Sequence, residues 1–286
     1  MSFVRLSHVV AILLSAWGCS GDSAVSDQPD GFFQATSRTF AEGEPEHAWR
    51  ALPKSYRSDV SSLVAEFAGR MDEDVWNKGF GLARKFTELI DKQRDLILSS
   101  SLADAMAVEA EEIEAQLDGV IDALNALLDS EISTLDGLKD LDLDEFMSDT
   151  LSEVFAPIQE MAKTSGQDLA EDWMERKLET SVVSEEGDVA TVRLEVEGKP
   201  AEVQSVVKVD GVWVPQEMAE GWRSGIEEAR AALAGFQIDA ATKLEIMTAF
   251  GGLDAMLDQL LAAKTAEEFG EAVAQAMMMA ASKLGG

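Results

Sequence analysis

Val189-Ala190-Thr191-Val192-Arg193-Leu194-Glu195-Val196 decides the fold class. Val192, Leu194 and Val196 alternate with Arg193 and Glu195, the period-two pattern of a strand with one wet face. The same reading extends to Leu178–Val183 and Ala201–Val209 on either side. Glu185-Glu186-Gly187-Asp188 and Glu197-Gly198-Lys199-Pro200 supply the turns, and Asp210-Gly211 makes a tight turn into Val212-Trp213-Val214. An antiparallel meander over residues 177–214 follows, with three long strands and a short fourth.

Outside that window the apolar period is helical. Phe32, Phe33, Thr36 and Phe40 form one stripe, ended by Gly43, and Pro45 suits the first turn of the next helix. Leu52-Pro53 breaks the chain. Val60, Leu63, Val64 and Phe67 form a further stripe, and Val75, Leu82, Phe86 and Leu89 another. Met106, Ala110, Ile113, Leu117, Val120, Leu124 and Leu127 alternate in steps of four and three, as do Met147, Leu151, Val154, Ile158 and Met161. Two such seams joined by a connector at 129–141 predict an antiparallel helical hairpin over 101–165. After the sheet, Met218, Trp222, Ile226, Ala229 and Leu233 lie on one helix that Gly235 ends, and helices continue to the C-terminus, the last opened by Thr265 and Glu268. The expected architecture is α+β and mostly helical: a domain over 31–235 holding the acidic hairpin and one small antiparallel sheet, with C-terminal helices 236–286 packed on it.

The 286 residues carry 54 acidic and 23 basic side chains, a formal charge of −31. Residues 101–175 alone hold 21 acids and 2 bases, so about three-fifths of the excess rides on the predicted hairpin and its exit. Such a chain repels nucleic acid, which needs clustered Lys and Arg. A basic protein is the partner this hairpin would suit, and its binding would weaken with salt.

Chemistry-bearing residues are few: one cysteine and two histidines. His47 is the only histidine outside the N-terminal segment and reads as a surface or partly packed side chain. Asp140-Leu141-Asp142-Leu143-Asp144-Glu145 begins like a calcium loop, but Glu145 stands where a turn glycine is needed and Leu151 where a bidentate Glu is needed. A helix cap explains it better. No catalytic constellation, phosphate loop, metal site or cofactor site is read. Trp49, Trp76, Trp173, Trp213 and Trp222 fall on apolar stripes or beside strands, which favours core packing. Trp213 and Trp222 mark the alternative, a ligand cleft between sheet and helices.

The first eighteen residues look like an export signal: Arg5, a short apolar run from Val9, and small residues Ala16 and Gly18. The run is far shorter than the ~20 residues that span a bilayer. Leu14-Ser15-Ala16-Trp17-Gly18-Cys19 resembles the lipobox of bacterial lipoproteins, departing from it at Ala16 and Trp17. The resemblance implies cleavage between Gly18 and Cys19, acylation of Cys19 with palmitate-type chains, and anchoring at the periplasmic side of the envelope, at the outer membrane because Ser20 follows. Residues 19–30 would form a polar tether.

Phe33, Glu42, Trp49 and Leu52-Pro53, with Val209-Asp210-Gly211-Val212-Trp213-Val214, resemble small secreted domains of the NTF2-like group. That likeness implies helices against a curved sheet, around a pocket in some members. The chain departs from it in its acidic hairpin, its few strands and the roughly seventy residues that follow. Val75-Trp76-Asn77-Lys78-Gly79-Phe80 is similar to envelope proteins of planctomycete-like bacteria, which implies no activity. The function expected is that of a membrane-anchored lipoprotein acting as a non-enzymatic binding or scaffolding module. A soluble periplasmic or secreted location, and a small-ligand binder or enzyme, are the alternatives.

Overall fold

The computed structural model describes residues 27–99, 110–164 and 178–284. The chain forms two compact units, each made from two separated stretches: residues up to Arg70 with Asp136–Gln237, and Met71–Leu135 with Ile238–Gly286. The fold is α+β, mainly helical, with one antiparallel sheet.

In the first unit, α1 (Gly31–Glu42), α2 (Pro45–Arg50) and α3 (Lys54–Ala68) follow the predicted stripes. Gly43 closes α1 with φ 72°, a left-handed conformation that suits glycine. Pro45 sits in the first turn of α2, where its missing N–H costs nothing. The sheet is a meander of β1 (Leu178–Glu186), β2 (Val189–Val196), β3 (Glu202–Val209) and β4 (Val212–Pro215) in the order β1-β2-β3-β4. Asp210 and Gly211 both have positive φ, 51° and 84°. That pair makes a mirror-image turn whose twist matches two right-twisted strands. β1 slips by one residue between Val182 and Ser184.

The sheet is buried on both sides where β3 meets β4. Val207, Val209, Val212 and Val214 pack on a cluster built from Phe32, Trp49, Leu52, Tyr56 and Val60. On the opposite face, Ala190, Val192, Val206 and Trp213 form a second cluster with Phe33 and Leu194. β1 and the outer face of β2 stay exposed, including Arg193 and Glu195, as the alternation predicts. The helix α10 runs Gln216–Ala234 and buries Ile226, Ala229 and Leu233 against Leu63 of α3.

Residues 27–30, expected to belong to the tether, are part of this unit. Pro29 is fully buried and Asp30 is 8% exposed. The Asp30 carboxylate accepts from Thr180 Oγ1 at 2.7 Å and from Gln34 Nε2 at 2.8 Å. A polar string reads as solvated, yet Asp30 finds a partner on a distant strand in Thr180, which composition does not reveal.

The second unit is helical: α4 (Glu73–Lys92), α5 (Arg94–Leu98), α6 (Ala110–Asp129), α11 (Ala240–Ala262) and α12 (Ala266–Leu284). Leu82 and Leu89 of α4 meet Leu257 and Leu260 of α11 and Phe269 of α12. Ion pairs run beside them: Lys85 bonds Asp258 at 2.7 Å and also Asp254, which Lys78 shares, while Lys243 reaches Asp72 at 2.9 Å and Asp74 at 2.5 Å. These bonds hold Asp72 and Asp254 below the usual carboxylate range and lift Lys85 and Lys243. Buried Gln93 donates to the carbonyls of Leu260, Leu261 and Ala263, at 3.1, 2.7 and 3.2 Å, and so satisfies the C-terminal end of α11. Gly79 does not interrupt α4; a Cβ there would lie 3.9 Å from the Phe250 ring, an ordinary contact.

The C-terminal helices share a unit with residues 71–135. Both seams of the expected hairpin are helices. α6 packs on α4 and α5. The connector holds a 3₁₀ turn at Glu131–Ser133 and two short helices, α7 (Leu135–Lys139) and α8 (Leu143–Ser148). The second seam, α9 (Thr150–Thr164), packs on α2 and α8. A four-three stripe shows that a helix has a partner and not which one.

Candidate functional site

Gly18, Cys19 and Trp173 lie outside the described residues. Of the two tryptophans expected to mark a ligand cleft, Trp213 is buried and Trp222 is partly buried against the core. Trp213 is 1% exposed, donates from Nε1 to the Asp27 carbonyl at 3.1 Å and carries Lys208 Nζ 4.9 Å from its ring centre. Trp222 stacks on Tyr56, with ring centres 3.9 Å apart and planes within 6°, and donates to Asp59 at 3.1 Å. Each indole finds a partner for its N–H inside the packing, which makes it better core than platform.

An open cleft of about 410 Å³ lies elsewhere in the first unit, between the start of α3 and the segment entering α8. Lys54, Arg57, Ser58 and Ser61 recur at i, i+3, i+4 and i+7, so they share one face of α3. The opposite face buries Tyr56, Val60 and Leu63. Residues 140–144 form the facing wall, and Trp49 of α2 closes one end. The acidic run is the helix cap that its spacing suggested: the Asp142 carboxylate accepts from the backbone of Asp144 at 2.9 Å and of Glu145 at 3.3 Å.

Asp144 ties the walls together. Its Oδ1 accepts from Arg57 Nη1 at 2.7 Å and from Trp49 Nε1. Burial alone would raise this carboxyl, but the bonds from Trp49 and Arg57, and the charges of Arg57 and Arg50, outweigh it and leave it below the usual carboxylate range. Arg57 Nε is buried and, among the described residues, has no hydrogen-bond partner. The Ser61 hydroxyl donates to the Arg57 carbonyl at 2.9 Å rather than to a base. The cleft therefore sets Lys54 and Arg57 against three carboxylates, a surface suited to holding a polar molecule of mixed charge.

Asp144→Asn weakens the charge on which Arg57 and Trp49 converge. With Asp144 61% exposed at its side chain, solvent screens much of the pair, and the expected loss is about 1–2 kcal/mol in urea denaturation at pH 7. A native carboxyl held below its unfolded value stabilises above that unfolded value, and the benefit goes as pH falls through the native one. The gap between the two proteins should thus stay constant from neutral pH to about 5 and close below about 4. A gap unchanged at low pH would refute this role for the carboxylate.

A signal for the α3 wall exists in the sequence, in the helical spacing of Lys54, Arg57, Ser58 and Ser61. Its facing wall, more than eighty residues later, has none, because nothing local says which helix end a capping run will face.

No family model, no curated protein and no solved structure matches this chain.

Proposed function

We propose that this protein is an envelope lipoprotein, acylated at Cys19 after cleavage behind Gly18, and that it serves at the periplasmic side of a membrane as a binding module rather than an enzyme. The observation that carries the reading is the position of the chain's only cysteine, directly after a small residue at the end of a short apolar run. Two features of the fold support it. The described part of the first unit starts at Asp27, and the residues 20–26 that join it to the cysteine span at most roughly 25 Å. No helix among the described residues is long and apolar enough to cross a membrane, so a covalent lipid would do the anchoring. The binding half of the proposal rests on the cleft between Trp49, Arg57 and residues 140–144.

Mass spectrometry of the protein purified from a bacterial membrane fraction tests the anchor. The expected N-terminal peptide begins at Cys19 and carries the added mass of acyl chains. Cys19→Ala should move the protein out of the detergent-soluble membrane fraction. An unmodified Cys19, or a Cys19→Ala variant that still fractionates with membranes, would overturn the proposal.

A further inference from the structure

Among the described residues, one group brings three metal-ligating atoms within 4.8 Å of one another: Glu42, Glu44 and His47. They flank the turn from α1 into α2. His47 Nε2 lies 2.5 Å from Glu44 Oε2 and 3.9 Å from Glu42 Oε2. In a tetrahedral site with bonds of about 2.0–2.1 Å, neighbouring ligand atoms are about 3.4 Å apart. The two observed separations straddle that value, so small rotations of two half-exposed glutamates would complete the geometry.

The backbone beneath these ligands is fixed. Thr39 is 3% exposed, and its hydroxyl donates to the Glu44 carbonyl at 3.1 Å while accepting from the Ala48 N–H at 3.2 Å. Gly43 is buried in its left-handed conformation, its N–H bonded to the Thr39 carbonyl at 2.8 Å. Pro45 sets the start of α2. Only the side chains of Glu42 and Glu44 are left to adjust.

The charge points the same way. Two carboxylates converge on one imidazole, and among the described residues the only cation beside them is Arg38, at 4.0 Å from Glu42. An imidazole nitrogen with two carboxylate oxygens is a donor set for zinc and its first-row neighbours, whereas calcium and magnesium prefer oxygen alone.

We infer that Glu42, Glu44 and His47 bind one divalent transition-metal ion of the zinc class, clamping the end of α1 to the start of α2. This inference does not depend on the lipid anchor or on the cleft.

The test is a calorimetric titration of the chelator-treated full chain with Zn²⁺, in physiological salt and millimolar Mg²⁺ to occupy the general acidic surface. One Zn²⁺ should bind per chain, and the thermal midpoint should rise with zinc because only the native state holds the site. His47→Asn and Glu44→Gln should each weaken binding at least about tenfold and abolish the zinc-dependent rise. Circular dichroism of the metal-free variants shows that they fold. Substituting Ca²⁺ should give no binding above the Mg²⁺ background. The inference fails if zinc binding is absent, if His47→Asn binds zinc as the parent does, or if Ca²⁺ competes equally.

Discussion

Trp213→Ala should cost the first unit about 3–5 kcal/mol, the range for removing a large aromatic from a core that cannot collapse around the gap. Trp213 is among the largest fully buried side chains, and it joins three things. It fills the cluster of Ala190, Val192 and Val206, it pairs across the hairpin with Lys208, and its Nε1 holds the Asp27 carbonyl. Urea denaturation should show a large fall in midpoint, and hydrogen exchange should show lost protection across β2, β3 and β4. Trp213→Phe separates the contributions. It keeps much of the apolar volume and removes the N–H, so it should cost only about 1–2 kcal/mol. An alanine variant within about 1 kcal/mol of the parent would mean that this core is not packed as described.

Phe269→Ala makes the matching prediction for the second unit. Phe269 is 4% exposed and meets Leu82, Leu89, Leu257 and Leu260, so its removal opens a cavity where α4, α11 and α12 converge. The expected cost is again about 3–5 kcal/mol. The cap of α12 is intact without Phe269: Glu268 N donates to Thr265 Oγ1 at 3.2 Å, and Lys264 N to Glu268 Oε2 at 2.8 Å. The variant's helix should therefore keep its start and lose its docking. Amide exchange along α12 should rise well above that along α4, whose ion pairs to α11 remain. Equal, unchanged protection in both helices would sink the assignment of Phe269 as the anchor.

Much of the local structure was legible because its causes are local. The strands follow from alternation, and the predicted ends of β2, Val189 and Val196, match those observed. Gly43, Pro45, Asp142 and Thr265 act at helix ends as their chemistry requires. One feature was legible only in part: three consecutive methionines cannot all face inward, and Met278 is 65% exposed. The candidate sites were the least legible. The cleft needs α3 to face residues 140–144, and the Glu42–Glu44–His47 group needs a left-handed residue to fold two glutamates toward one imidazole. A signal existed for the second, since Glu-Gly-Glu-Pro-Glu-His places ligand types on both sides of a turn.

What residue order settles without help is the class of fold, the caps and turns, and the acidic character of the chain. Periodicity and turn chemistry act over a few residues, so they are written in neighbouring letters. Only the tertiary structure decided that residues 71–135 join 238–286, that Pro29 and Asp30 are buried, and that Trp213 and Trp222 are packed. Each depends on which apolar stripe meets which. Many pairings bury similar area, and the choice among them rests on side-chain fit and on long-range bonds such as Lys85 to Asp258 or Trp49 to Asp144.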